Sequence, residues 1–100
     1  IHNKRDFTTF INAVNRGEVL ADYVIIMLCK ELFISGEDTD FILFKDIFNN
    51  MLNNETHSDE CRENISCALA RIYRIENDYN NFFKICLKNV NSMYGVRALL

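Results

Sequence analysis

No proline occurs anywhere in the chain, and its apolar residues recur three and four positions apart. Proline is the residue that most reliably stops a helix, because its ring removes a backbone donor and clashes with the preceding turn. A chain that lacks it and is patterned with a period near 3.6 is free to be helical almost from end to end. No segment of strand length alternates apolar with polar residues, and no Asn-Gly pair marks a hairpin. The expected fold class is all-α.

At 100 residues the chain has room for one domain, residues 1–100, with a single modest core. Hydrophobic residues at 49% and charged ones at 25% exclude a disordered segment. The longest apolar run, Tyr23 to Cys29, is flanked by Asp22 and Lys30 and falls short of the roughly 18 residues a membrane span needs. Cys29, Cys61, Cys67 and Cys86 contain no CxxC pair and each falls in a helical pattern, where a free thiol behaves as a small hydrophobe. They read as reduced, and the domain as cytoplasmic. The chain opens on Ile1 and closes on Ala98-Leu99-Leu100, which looks like the first turn of another helix, so a fragment of a longer helical-repeat protein is expected.

Spacing and breakers predict about five antiparallel helices. Asp6 caps the first, with Phe7, Phe10, Ile11 and Val14 on its apolar face and Gly17 at its end. The second spans about residues 18–33, with Val19, Leu20, Tyr23, Val24, Met27, Leu28 and Leu32 inward; Ile25 and Ile26 make it apolar on most sides, so it is expected at the centre. Ser35-Gly36 breaks it, and Asp38 or Thr39 opens a third with the stripe Phe41, Phe44, Ile47, Phe48, Met51 and Leu52. Ser58 caps a fourth carrying Cys61, Ile65, Ala68, Leu69 and Ile72, and Asn77-Asp78 opens a fifth carrying Tyr79, Phe82, Phe83, Cys86, Leu87 and Val90.

Charge divides the chain into thirds: +2 over residues 1–17, −8 over 18–63 and +3 over 64–100. A pI near 5.3 without a concentrated basic stripe excludes nucleic acid as the expected partner. His57, Asp59, Glu60 and Cys61 lie close together but lack a second Cys or His pair at zinc-like spacing, so no metal and no cofactor is expected. The triplets Asn54-Glu55-Thr56 and Asn64-Ile65-Ser66 match the N-glycosylation pattern by chance in an asparagine-rich chain. Neither Cys61 nor Cys67 has an evident histidine base, so no catalytic residue is assigned and the chain is not expected to be an enzyme.

Glu63-Asn64, then Ala68-Leu69, then Ile72 is similar to the third helix of an armadillo repeat, and Gly95-Val96-Arg97-Ala98-Leu99-Leu100 to the start of the next. Among such proteins, Ala68 to Ile72 followed by Tyr94 to Leu100 resembles the UCS myosin-chaperone family. A tetratricopeptide repeat is the rival, through Leu69, Ala70, Tyr73, Asn77 and Tyr79, although Phe82 and Asn89 stand where its packing requires small residues. The resemblance implies a short armadillo/HEAT-like α-solenoid fragment, stacked on neighbouring repeats of its parent chain; a helical bundle is the alternative architecture. It also implies a scaffold or adaptor whose third-helix groove face carries Asn64, Cys67, Arg71 and Arg74.

Nuclear-import adaptors resemble the same repeat but hold Trp and Asn where this chain has Cys67 and Arg71, so an acidic segment of a protein partner is expected in place of a basic signal. Lys84 and Lys88 extend the basic patch, while Glu63, Glu76 and Asp78 are the carboxylates that compete for the arginines. From a different class comes a helical-bundle regulator of viral or signalling type, taking an amphipathic helix into an apolar groove walled by Phe41, Phe44, Phe48 and Met51.

Overall fold

A computed structural model describes residues 7–54 and 56–88. Over them run six helices, α1 (Thr8–Asn15), α2 (Asp22–Ser35), α3 (Asp38–Leu43), α4 (Lys45–Leu52), α5 (Asp59–Ile75) and α6 (Tyr79–Lys88), with no strand among the described residues. The fold is all-α, as the spacing predicts. The expected Asp6 cap, Val90 and the segment 95–100 lie outside the described residues.

Helix ends follow local chemistry. Gly17 takes the left-handed conformation at φ +84°, its N–H donates to the Val14 carbonyl at 2.9 Å, and the Glu18 N–H donates to Ala13 at 3.1 Å. That paired closure satisfies carbonyls the helix end would otherwise leave open. Asn77 repeats it at the end of α5 with φ +59°: its N–H reaches the Arg74 carbonyl at 3.1 Å and the Asp78 N–H reaches Tyr73 at 2.8 Å. Asparagine is among the few non-glycine residues that take this conformation readily. Gly36 is required sterically, since a Cβ there would lie 2.6 Å from the Leu32 carbonyl oxygen. Ser58 caps α5 as expected, its hydroxyl accepting from the Cys61 N–H at 3.2 Å, and Asp78 Oδ1 accepts from the Asn81 N–H at 3.3 Å at the head of α6.

Two helix boundaries differ from the sequence expectation. The second helix starts at Asp22 and not near Glu18, because the Glu18 backbone closes α1 and its carboxylate pairs with Arg16 at 2.6 Å. The expected third helix divides at Phe44, where φ −93° and ψ 1° and a Phe44 N–H to Phe41 carbonyl bond of 3.1 Å tighten one turn. The tightening sends Phe41, Phe44 and Phe48 all inward. Phe44 meets Phe7 edge-on at 6.3 Å and stacks on Phe48 at 5.3 Å, in the geometries the ring quadrupoles favour.

The central helix is α5, not α2: α2, α3, α4 and α6 all pack on it. Its stripe Ile65, Ala68, Leu69 and Ile72 is fully buried, as expected, and Ser66 and Ala70, about a third of a turn around the helix, are buried as well. Small side chains there let neighbouring backbones approach on a second side. Each buried Ile or Leu contributes about 1.5–3 kcal/mol relative to exposure. α2 runs parallel to α5, with Asp22 beside Ser58 at one end and Phe33 beside Arg71 at the other. α4 runs antiparallel to it. There Lys45 pairs with Glu76 at 2.8 Å and lies over the Tyr73 ring at 6.0 Å, while the Tyr73 hydroxyl donates to Asn49 at 3.1 Å. The bond to Glu76 holds the Lys45 ammonium above the usual lysine range.

The faces of α2 and α6 also differ from expectation. On α2 the buried residues are Ile25, Leu28, Cys29 and Leu32, while Tyr23 and Met27, expected inward, are exposed, as is Val19 in the segment before the helix. On α6, Phe82 and Cys86 are buried, whereas Tyr79, Phe83 and Leu87 turn out to solvent with 55%, 55% and 71% of their surface exposed.

Candidate functional site

The six residues expected on a partner-binding face divide into two groups. Asn64 is buried, its amide donating to the Glu60 carbonyl at 2.9 Å, so it is spent inside the fold. Cys67 is half-buried. Arg71 is half-buried too, with its guanidinium 5.3 Å from the Phe33 ring and 5.6 Å from the Phe41 ring. A cation over two aromatic faces is held in place by their quadrupoles, so Arg71 joins α5 to α2 and α3. Arg74, Lys84 and Lys88 are exposed.

Of the three carboxylates expected to compete for the arginines, Glu76 is paired with Lys45 and Asp78 accepts from Asn81, each at 2.8 Å. Lys84 and Lys88 alternate along α6 with Phe83 and Leu87. That juxtaposes an apolar stripe at four-residue spacing with exposed cations on one helix. Of the groove wall expected from Phe41, Phe44, Phe48 and Met51, the three rings are buried in the core and Met51 is half-buried against it.

A second constellation lies at the paired N-termini of α2 and α5. Asp22, in the first turn of α2, sends Oδ1 to within 2.7 Å of His57 Nδ1 and accepts the Ser58 N–H on Oδ2 at 2.8 Å. The Cys61 sulfur lies within 4.8 Å of both side chains. The hydrogen bond from His57, then that from the Ser58 N–H, lower the Asp22 pKa to about 2, so it is a fixed anion. Burial, with the Asp22 charge beside it, pushes the Cys61 thiol up to about 11. Such a thiol stays protonated at neutral pH and is no nucleophile. Burial raises the Cys29 and Cys86 thiols as well.

His57 and Cys61 belong to the group weighed from the sequence, whereas Asp59 and Glu60 are exposed and not part of the cluster. Asp22 was missed because it lies 35 residues from His57. Its signal was phase: Asp22, Ile25, Cys29 and Leu32 fall on one side of α2, so an acid sits at the head of the buried stripe. The donor atoms of Asp22, His57 and Cys61 all lie within 4.8 Å of one another.

No family model matches the chain, and no curated protein or solved structure is significantly similar to it. Among the described residues no helix is long and apolar enough to cross a membrane.

Proposed function

We propose that the chain is a non-catalytic protein-interaction module of the cytoplasm, and that α6 is its recognition helix. The observation that carries this reading is the exposed stripe Tyr79, Phe83 and Leu87 beside Lys84 and Lys88, with Arg74 exposed on the adjoining helix. Three large apolar side chains left in water on one helix form a patch that a partner can cover. The cations beside it select the partner's charge, and an amphipathic helix with acidic residues along its edge fits both features. On α2, the exposed Tyr23, Met27 and Ile34 offer a second, more apolar face, which supports stacking on neighbouring helices of a longer chain in the armadillo manner.

Affinity capture with cross-linking mass spectrometry tests the reading, using wild type beside Phe83→Ser/Leu87→Ser and Lys84→Glu/Lys88→Glu. The expected result is a partner cross-linked to α6 and lost at least tenfold with either double variant, both variants keeping wild-type helicity. A partner retained equally by both, or cross-linked only to other helices, would remove α6 from the proposal.

A further inference from the structure

We propose that Asp22, His57 and Cys61 form a binding site for a divalent transition metal of the zinc class, joining the N-termini of α2 and α5. The three residues supply one oxygen, one nitrogen and one sulfur, a donor set that suits a borderline ion such as Zn²⁺ and does not suit Mg²⁺ or Ca²⁺, which require oxygen ligands. Their donor atoms lie within 4.8 Å of one another. Tetrahedral zinc, with bonds of about 2.0–2.3 Å, spaces its ligands by roughly 3.3–3.6 Å. Rotamer-scale adjustment reaches that arrangement: His57 Nδ1 and Asp22 Oδ1, now 2.7 Å apart, open slightly, and Cys61 closes on them.

The surroundings prepare the ligands. The His57 side chain is only 8% exposed and that of Asp22 36% exposed, so the imidazole is fixed inside while the carboxylate side stays open for entry and for a water as fourth ligand. The Ser58 N–H on Oδ2 fixes the carboxylate and leaves Oδ1 for the ion, a supporting bond of the kind that orients metal ligands. Two helix N-termini converge there, and their positive ends disfavour a bare cation but favour the two anions that the bound state needs. With Asp22 as carboxylate and Cys61 as thiolate, a divalent ion makes the cluster neutral.

Proton balance follows from the geometry. Nδ1 lies 2.7 Å from a carboxylate oxygen and so carries a proton in the metal-free chain, as does the Cys61 sulfur. Binding replaces both: the thiol proton passes to solvent, and the Nδ1 proton passes to solvent or to Nε2. The metal takes over the bridging that the Nδ1 proton performs between His57 and Asp22, and its affinity rises with pH.

The test uses the untagged full chain in reductant that does not chelate, with Co²⁺ as the spectroscopic probe and Zn²⁺ in equilibrium dialysis. One Co²⁺ per chain with a thiolate-to-cobalt charge-transfer band is expected. The band should vanish in Cys61→Ser, affinity should fall at least tenfold in His57→Gln, and Cys67→Ser should match wild type. Zn²⁺ should raise the melting temperature of wild type in a concentration-dependent way, and the same rise in His57→Gln should need at least about tenfold more Zn²⁺. Absence of the band in wild type, or its survival in Cys61→Ser, overturns the assignment. Should Cys61→Ser fail to fold, His57→Gln decides: wild-type affinity there overturns the site and a tenfold loss supports it.

Discussion

α2 and α5 invert what their compositions imply. α2 contains the unbroken run Tyr23 to Cys29, whereas α5 begins Asp59-Glu60-Cys61-Arg62-Glu63. Yet α5 is packed on by four other helices, and α2 keeps Tyr23, Met27 and Ile34 in solvent. Apolar content tells a helix to bury something, and one face suffices for that. Centrality needs a second face that admits another backbone, which Ser66 and Ala70 supply on α5 and which the bulky outer residues of α2 do not.

The largest effect that contrasts the two helices comes from matched truncations. Leu69→Ala, at a fully buried site, should destabilise by about 2–5 kcal/mol, the range for a buried leucine whose cavity only partly collapses. Ile34→Ala, at a site 78% exposed, should stay within about 0.5 kcal/mol of wild type. Urea unfolding midpoints at unchanged slope measure both. A loss above about 1 kcal/mol at Ile34 would show the outer face of α2 to be packed and the contrast to be false.

Enlarging a small residue probes the same contrast from the other side. Ala70→Leu should cost about 1–3 kcal/mol, because the added atoms must push a neighbouring helix off α5. Thermal melts read the change as a lowered midpoint. An unchanged or raised midpoint would mean that the second face of α5 holds slack, and that small residues are not what makes it central.

How far the fold was legible follows from the same physics. Gly17, Gly36, Ser58 and Asp78 act within a few residues of themselves, so their caps and breaks could be read directly, as could the α5 stripe. The phase of α2 could not. Apolar on most sides, it offers several faces for burial, and a tertiary bond from Asp22 to the start of α5 accompanies the one it uses. The break at Phe44 was hidden because a 3₁₀ turn between two helices leaves the apolar spacing nearly intact. At the candidate sites, Lys84, Lys88 and Arg74 could be placed on the surface from helical phase alone. The burial of Asn64, the aromatic cover on Arg71 and the approach of Asp22 to His57 depend on which helices meet.

Asp22 fastens the N-terminal ends of the two compared helices, and pH loosens that fastening in a defined direction. Its pKa in the folded chain is about 2, against 3.8 for a free aspartate, chiefly through the hydrogen bonds from His57 and Ser58. A lowered folded-state pKa means that the unfolded chain takes up the proton first, so acid favours unfolding. The contribution is complete above the free value and is lost as pH falls from about 4 to about 2. Solvent reaches the carboxylate, so the effect is the smallest of the three. Asp22→Asn should be less stable than wild type at pH 6, and the gap in urea midpoint should close as pH drops through that window. A gap that stays constant down to pH 2 would show that the Asp22 charge is not what ties α2 to α5, leaving its steric fit between His57 and Ser58 to set the phase of α2.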